Sequence, residues 1–172
     1  MSLAGEGNSS NSIIAKMEER INALVDMGVP GVVAAGNDNQ DALGNRFPSC
    51  FQAPICVAAI DKDGKRAGFS TWHNEVDFGE LGTAVHTIGI TGSTSSGTGT
   101  SFAAPIVAAK CAALLSRYPQ MTEPELFEVL KANAQDIGDA GYDPYTGWGW
   151  IASLEVEPAE SGGNKQENVT TV

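Results

Sequence analysis

The segment GTGTSFAAPIVAAKCAALLSR, residues 97–117, joins a glycine-rich run to the longest apolar stretch of the chain. From Ser101 to Tyr118 the sequence is mainly apolar and rich in alanine on every face, which is typical of a helix that passes through a core. Pro105 falls near the first turn, where a lost N–H matters least, and Pro119 ends the helix. The segment therefore predicts a buried helix around which the other elements pack.

Ser101 has two interpretations at the level of local sequence. Serine and threonine are common helix caps, so Ser101 or Thr100 can be an ordinary N-cap. Alternatively, Gly97 and Gly99 let a substrate approach the backbone closely, and Ser101 is a nucleophile that gains from the positive end of the helix dipole. A nucleophilic serine also needs a base and a group that receives the oxyanion. The local sequence leaves both interpretations open.

Two further helices are predicted from apolar periodicity and caps. Apolar residues recur at three- and four-residue steps over residues 11–28, with Asn11 or Ser12 as the cap and a glycine at the end. A last amphipathic helix is predicted over about residues 123–133, with Thr122 as the cap and a proline in its first turn. Both helices are expected to bury one face.

Short apolar runs without alternation predict parallel strands that are covered on both faces. Such runs lie at residues 31–35 and 55–60, and a weaker one lies at residues 84–90. A turn-forming DKDGK sequence follows the second run, at residues 61–65. The order of helices and strands predicts an α/β fold with three layers, in which a mostly parallel sheet is flanked by helices.

Composition excludes several classes of function. The 172 residues carry a formal net charge of −11 and only ten lysines and arginines, which argues against a nucleic acid partner. The longest apolar run is broken and shorter than the roughly 20 residues of a membrane-spanning helix. The opening sequence MSLAGEGNSSNS lacks both the basic segment and the apolar segment of a secretory signal. The compartment of the protein therefore cannot be assigned from these residues.

The cysteines and histidines do not form a metal-binding pattern. The chain has three cysteines and two histidines, with no CxxC motif, so no metal site is predicted. Cys50 and Cys56 can form a disulfide if the chain brings them together, or they can remain free thiols.

A second polar residue follows a predicted strand. In VVAAGNDN, residues 32–39, Asn37 lies just beyond the carboxyl end of a strand, where α/β sheets bind ligands. The same residue can instead form an Asx turn, which is common after strands.

Taken together, the segments of the chain closely resemble the subtilisin family of serine proteases. GTSFAAP is similar to the family's G-T-S-x-A-x-P segment, and AAGN to its oxyanion-hole segment. MSLAG, PSCFQAPICVAAID, AGFSTWHNEVDF and TGWGWI resemble further family segments in the same order. The resemblance covers residues 1–153 and implies the carboxyl-terminal part of a subtilisin-like peptidase domain. Residues 154–172 contain few large apolar side chains, and we expect them to form an acidic, polar, disordered tail.

The resemblance assigns roles to individual residues. It implies that Ser101 is the nucleophile and that Asn37 donates its side-chain amide to the oxyanion alongside the Ser101 N–H. The substrate-binding residues that it implies are Ser2, Leu3, Ala4 and Gly5, which would pair with an extended peptide, and Ala34, Ala35 and Gly36, which would line the pocket before the cleaved bond. Because these pocket residues are small, we expect the pocket to accept a large hydrophobic side chain.

The family's catalytic aspartate and histidine precede the serine, in D-[ST]-G and H-G-T-H segments, and this sequence contains neither segment. His73 and His86 lie between Asn37 and Ser101, where the family has no base, and we expect both to be surface or loop residues. The fold is therefore expected to be incomplete at the amino-terminal side. The missing amino-terminal half of the domain would be a partner, and the isolated chain would be inactive.

Three functions remain open. The first is a serine endopeptidase represented by its nucleophile half, and the second is a non-catalytic remnant that binds peptides or a partner. The third is a serine hydrolase of another lineage that uses His73 or His86.

The resemblance also implies secretion and calcium binding, although no calcium ligands can be assigned. Glu80-Leu81-Gly82 stands where the family often has A-P-G, and Ile106 where many members have histidine.

Overall fold

A computed structural model describes residues 1–7, 10–42 and 44–154. The described residues form short strands and three helices along the chain. The strands are β1 (Gly5–Glu6), β2 (Val32–Ala34), β3 (Arg46–Phe47), β4 (Ile55–Ile60), β5 (Phe78–Leu81), β6 (Val85–Ile88) and β7 (Thr94–Gly97). The helices are α1 (Ser12–Asp26), α2 (Thr100–Arg117) and α3 (Glu123–Ala132).

The central sheet is parallel and has the strand order β2-β4-β5. Val32 lies opposite Ile55 in the register, and Val57 lies opposite Phe78. Every residue of β2 and β4 is buried, because alternate side chains enter two separate apolar clusters on the two faces. Burial on both faces explains why these strands read as unbroken apolar runs. The expected α/β class is confirmed.

Helix α2 is the main element of the core. It packs against all three strands of the parallel sheet and against α3. Its side chains Val107 and Leu114 are fully buried in the larger cluster, together with Leu126 and Leu130 of α3. The helix predicted from residues 97–117 is therefore confirmed. The expectation that it is buried on every face is wrong, because Ala108, Ala109, Ala112 and Ala113 are exposed on the face away from the sheet.

The caps of the other two helices agree with the sequence. Asn11 is the N-cap of α1, and its side-chain oxygen accepts a hydrogen bond from the Ile13 N–H at 2.9 Å. Thr122 and Glu125 form a capping box at the start of α3, in which Glu125 accepts bonds from the Thr122 N–H and hydroxyl. Each cap satisfies N–H groups that the first turn leaves without an intrahelical acceptor.

The prediction for the third strand is wrong. Residues 84–90 were expected to form a parallel strand, but β6 pairs with β7 in an exposed antiparallel hairpin. The third parallel strand is β5, whose sequence FGEL contains a glycine and a glutamate. The Glu80 carboxylate is accommodated there by an ion pair with Lys110 of α2 and by a hydrogen bond from Trp150 Nε1 at 3.0 Å.

Met1 lies along the outer edge of β2. Its amino group donates to the Val32 carbonyl, and its own carbonyl accepts from the Ala34 N–H at 3.1 Å. Beside this edge is an apolar cavity of about 300 Å³, here called the edge groove, whose lining includes Met1, Ile21, Leu24, Val29, Val32 and Ala108. Leu24 and Val29 are about half exposed there.

The expected tail lies mostly outside the described residues, and its boundary stays a prediction. Leu154, the last described residue, is partly buried against the larger core cluster. Within the described part of the chain, no helix combines the length and the apolar composition that crossing a membrane requires.

Candidate active site

Ser101 is the second residue of α2, and Gly99 is the N-cap. The cap position is occupied by a glycine, and Thr100 and Ser101 both lie inside the helix. The interpretation of Ser101 or Thr100 as an ordinary N-cap is therefore wrong. Gly99 has a φ of +147°, which a residue with a Cβ rarely adopts. Ser101 thus lies in the first turn, whose N–H groups have no intrahelical acceptor.

Thr100 connects the two motifs of the predicted site. Its N–H donates to the Asn37 Oδ1 at 2.9 Å, and its hydroxyl donates to the same oxygen at 3.1 Å. The hydroxyl oxygen also accepts from the Gly36 N–H at 3.2 Å. Thr100, which precedes Ser101 in the GTS segment, therefore bonds this segment to the AAGN segment 63 residues earlier.

These bonds also fix which way the Asn37 amide faces. A backbone N–H can only donate, so the atom that faces Thr100 must be the amide oxygen. The amide nitrogen Nδ2 is then the branch that is left to donate elsewhere. Asn37 is exposed and lines the same cavity as Ser101. The arrangement gives the cavity that Ser101 lines an amide group of fixed orientation.

Gly36 is required by the close approach of the loop to its neighbours. Its φ is +117°, and a Cβ at this position would lie 2.9 Å from the Thr71 Oγ1. The Thr71 hydroxyl oxygen in turn accepts from the Asp38 N–H at 3.1 Å. A larger residue at position 36 would displace the loop that carries Asn37.

A cavity of about 240 Å³ brings most of the predicted site together. The Ser2 hydroxyl donates to the Ser101 carbonyl at 3.1 Å, which joins the amino-terminal segment to the helix. The lining residues are Ser2, Leu3, Ala4, Ala34, Gly36, Asn37, Asp38, Arg46, Thr100 and Ser101.

Two of the predicted substrate-binding residues lie elsewhere. Ala35 is fully buried in the smaller core cluster, on the other face of the sheet. Gly5 belongs to β1, where it pairs with Phe47 of β3. The structure does not place these two residues in the cavity, because Ala35 follows Ala34 in extended chain and so faces the opposite side, and Gly5 is held in the β1–β3 pair.

Asp38 and Arg46 line the cavity and were missed by the sequence analysis. The Arg46 guanidinium forms an ion pair with the Asp38 carboxylate, and the side chains are 11% and 43% exposed. Glu6 lies 3.9 Å from the same guanidinium. The only sequence signal was the position of Asp38 directly after Asn37, because Arg46 reaches the cavity through tertiary contacts.

The two histidines occupy different environments, and neither lines this cavity. His86 is exposed on β6, as expected. His73 lies in a loop, one of the two placements expected for it, but it is buried there and only 5% exposed. Its Nδ1 accepts from the Glu75 N–H at 3.2 Å, and its Nε2 lies 3.8 Å from the Cys56 Sγ.

Burial lowers the pKa of His73 to about 4, so the ring is neutral at pH 7. Since Nδ1 accepts, the proton of the neutral ring resides on Nε2 and faces the Cys56 sulfur. One ring nitrogen therefore has a partner in the loop and the other a partner in β4.

Cys50, Cys56 and Cys111 are free thiols in the structure. The possible Cys50–Cys56 disulfide is therefore not formed. Among the described residues, no three or more His, Cys, Asp or Glu side chains converge to hold a metal ion. Calcium binding stays an expectation from the resemblance, without assigned ligands.

Comparison with solved structures defines the class of protein to which this fold belongs. A cold-adapted subtilisin-like serine proteinase superposes with a TM-score of 0.78 at 27% identity, over 91% of this chain and 54% of that chain. A protease from Pseudoalteromonas arctica superposes with a TM-score of 0.76, also at 27% identity, over 88% of this chain and 47% of that chain. The architecture is that of subtilisin-like proteases.

The family follows from the sequence match. The model of the Subtilase family matches residues 1–149, and the chain belongs to this family. The minor extracellular protease Epr of Bacillus subtilis is 34% identical over 145 residues, which are 84% of this chain and 22% of that protein. A thermostable alkaline protease of Halalkalibacterium halodurans is 32% identical, over 80% of this chain and 36% of that protein. The chain thus spans about half or less of the curated relatives that it matches. Descent from another hydrolase lineage is excluded.

Proposed function

We propose that the chain supplies the nucleophile and the oxyanion hole of a serine endopeptidase. In this mechanism, Ser101 Oγ attacks the peptide carbonyl, the leaving amine departs, and water later hydrolyses the acyl-enzyme. The Asn37 Nδ2 and the Ser101 N–H donate to the oxyanion. The observation that carries the proposal is the Thr100 bridge, which orients the Asn37 amide beside Ser101 in one cavity.

The base and its orienting carboxylate would come from an amino-terminal segment with the family's D-[ST]-G and H-G-T-H sequences. This chain contains neither sequence, and neither of its histidines lines the Ser101 cavity. The edge groove is where that segment would dock, since its strand would continue the sheet beyond β2 and Met1. Substrate peptides would lie along residues 2–4, which line the same cavity as Ser101.

The test joins the chain, in trans or by fusion, to a segment that carries both sequences, and measures peptide hydrolysis and fluorophosphonate labelling. Activity should appear on joining, whereas the chain alone should label negligibly because its serine has no base. Ser101→Ala should abolish activity. Asn37→Ala should lower kcat by about 10² to 10³, the loss known for an oxyanion donor of a subtilisin, with little change in KM.

The second candidate is a non-catalytic domain that binds peptides or a partner. The observation in its favour is the absence of the aspartate and histidine segments from this sequence. An assembled protein that binds peptides but neither hydrolyses them nor labels at Ser101 would establish this function instead.

We infer an extracellular location for the peptidase, supported by the relative from Bacillus subtilis, which is an extracellular protease.

A further inference from the structure

We propose that Thr71 is a positioning residue of the peptidase, because it holds the backbone on both sides of Asn37. The inference rests on the proposed function, in which the Asn37 side chain donates to the oxyanion. Thr100 fixes the amide end of Asn37, whereas Thr71 fixes the loop that carries this side chain. Thr71 lies outside the cavity of Ser101, so it acts through Asn37 and not on the substrate.

Thr71 bonds to the two residues that flank Asn37. Its N–H donates to the Gly36 carbonyl at 3.0 Å, and its hydroxyl oxygen accepts from the Asp38 N–H at 3.1 Å. The same hydroxyl donates to the Asp38 Oδ2 at 3.4 Å. One threonine therefore restrains the loop both before and after the residue whose orientation the reaction requires.

The Thr71 side chain has no alternative partner in water. It is 0% exposed, so its hydroxyl cannot exchange the bonds to Asp38 for bonds to solvent in the folded protein. Its Oγ1 also fills the space beside Gly36, where an added Cβ would lie only 2.9 Å away. The loop is thus held by hydrogen bonds on one side of Asn37 and by close packing on the other.

Thr71 is itself fixed to the core of the domain. The hydroxyl oxygen of Ser70, the preceding residue, accepts from the Ala59 N–H of β4 at 3.0 Å. The N–H of Trp72, the following residue, donates to the Gln40 carbonyl at 3.2 Å. Ser70 and Ala59 are both buried. A chain of hydrogen bonds therefore runs from the central sheet through Ser70 and Thr71 to the backbone around position 37.

Loss of the Thr71 hydroxyl should affect the transition state more than substrate binding. Peptide binding along residues 2–4 does not use the Asn37 amide, whereas the oxyanion forms only as the peptide carbonyl is attacked. A donor that is displaced by a fraction of its bond length stabilises this charge less well. The expected signature is a lower kcat with KM nearly unchanged.

The experiment compares Thr71→Val with Thr71→Ser in the assembled peptidase, by steady-state hydrolysis of a peptide. Valine keeps the shape of the buried side chain and removes both hydroxyl bonds to Asp38, so kcat should fall about tenfold while KM changes less than about twofold. Serine keeps the hydroxyl, and its kcat should stay within about threefold of the wild type. Equal losses in the two variants would contradict the inference.

A double-mutant cycle tests whether Thr71 acts through Asn37. In the Asn37→Ala background the donor is already absent, so adding Thr71→Val should lower kcat by less than about a further twofold. A full tenfold loss in that background would show that Thr71 acts by another route and would overturn the inference.

Thr146→Val is the matched control for a loss of stability. Thr146 is also a buried threonine, its hydroxyl donates to the Ile137 carbonyl at 2.9 Å, and it does not line the Ser101 cavity. This variant should lower the melting temperature and leave kcat unchanged. If it lowered kcat as much as Thr71→Val does, destabilisation would explain both losses and the inference would be wrong.

Amide hydrogen exchange of the full chain gives a readout that does not depend on activity. Exchange at the Asp38 N–H should be at least about tenfold faster in Thr71→Val than in the wild type, and unchanged exchange would overturn the inference. An assembly that hydrolyses peptides equally well with Thr71→Val would leave the proposed function standing and this inference wrong. An assembly that hydrolyses no peptide would contradict both, although faster exchange at Asp38 would still establish that Thr71 holds the loop.

Discussion

Thr100 is the positioning residue that holds the Asn37 amide beside Ser101. Thr100→Val removes the hydroxyl that donates to Asn37 and accepts from Gly36, so the amide loses one of its two fixed bonds. In the assembled peptidase we expect kcat to fall by about tenfold to a hundredfold with KM little changed, because a misplaced donor acts chiefly in the transition state. Steady-state kinetics would measure both quantities.

Thr100→Ser is the control for this prediction, since it keeps the hydroxyl and removes only a methyl group. It should retain most of the wild-type kcat. If Thr100→Val lowered the melting temperature but left kcat intact, Thr100 would be a structural residue and not a positioning one.

The motifs of the sequence single out Ser101 and Asn37, and the structure brings both residues to one cavity. Thr100 and Arg46 escaped prediction for a physical reason. The bond from Thr100 spans 63 positions, and Arg46, which pairs with Asp38, lies in a strand that pairs with β1. Neither contact leaves a local pattern, because a threonine at a helix start and an exposed-type residue such as arginine in a two-residue strand are ordinary on their own.

Asp77 makes the stability of the fold depend on pH. Burial raises the pKa of the Asp77 carboxyl from its ordinary 3.8 to about 7. The negative charges of Glu75 and Glu123 also raise this pKa, whereas the hydrogen bond from the Cys56 N–H lowers it. Between about pH 4 and about pH 7 the folded protein therefore holds a proton that the unfolded chain has released, and stability falls as pH rises.

Asp77→Asn should remove this loss, since the amide oxygen can still accept from the Cys56 N–H. The free energy of unfolding of Asp77→Asn minus that of the wild type should rise from about pH 4 to about pH 7, by at most about 1.4 kcal/mol per pH unit. Urea unfolding at several pH values measures this difference. A flat difference for Asp77→Asn would contradict the prediction.

At the scale of elements, Lys110 and Glu80 join α2 to β5. The Lys110 ammonium is paired with the Glu80 carboxylate and donates to the Ile151 carbonyl, and the two side chains are 17% and 4% exposed. Lys110→Met leaves the buried carboxylate unpaired, so we expect a loss of about 3 to 5 kcal/mol in the free energy of unfolding. Chemical denaturation measures the loss.

The controls for this prediction separate burial from charge. Lys62→Met breaks an exposed pair with Asp63 and should change stability little. The double variant Lys110→Met/Glu80→Gln should recover much of the lost stability, because no buried charge then remains alone. An equal loss in the single and double variants would show that the ion pair is not the cause.

The elements themselves were predictable to different degrees. The capped helix α1 and the apolar strand β4 follow from local pattern, because one buried face or two buried faces leave a clear sequence signature. Strand β5 was missed because Gly79 packs against Ile60, and Glu80 is neutralised by a lysine 30 positions away. Residues 84–90 were assigned to the parallel sheet as a short apolar run, but the β-branched side chains in this run suit an exposed hairpin equally well.

For the whole molecule, the edge groove is the surface expected to receive the amino-terminal segment. Leu24 lines this groove and is 49% exposed in the chain. Leu24→Glu would place a charge in an apolar contact, so we expect the dissociation constant for that segment to rise at least about tenfold. Titration of the labelled segment into the chain measures this constant.

Ile13→Glu is the matched control, since Ile13 lies on the same helix and is exposed, but does not line the groove. It should leave the dissociation constant unchanged. If Ile13→Glu weakened association as much as Leu24→Glu, or if neither variant did, the segment would dock elsewhere.

The three free thiols give the fold a graded set of chemical reporters. Cys50 is half-buried near the surface, whereas Cys56 in β4 and Cys111 in α2 are 0% and 2% exposed. Alkylation of the last two requires their elements to open, so the rate of each reaction reports the local opening free energy of the sheet or of the helix that carries Ser101. The native chain can therefore be followed by thiol-trapping mass spectrometry as a partner or peptide binds, without an engineered label.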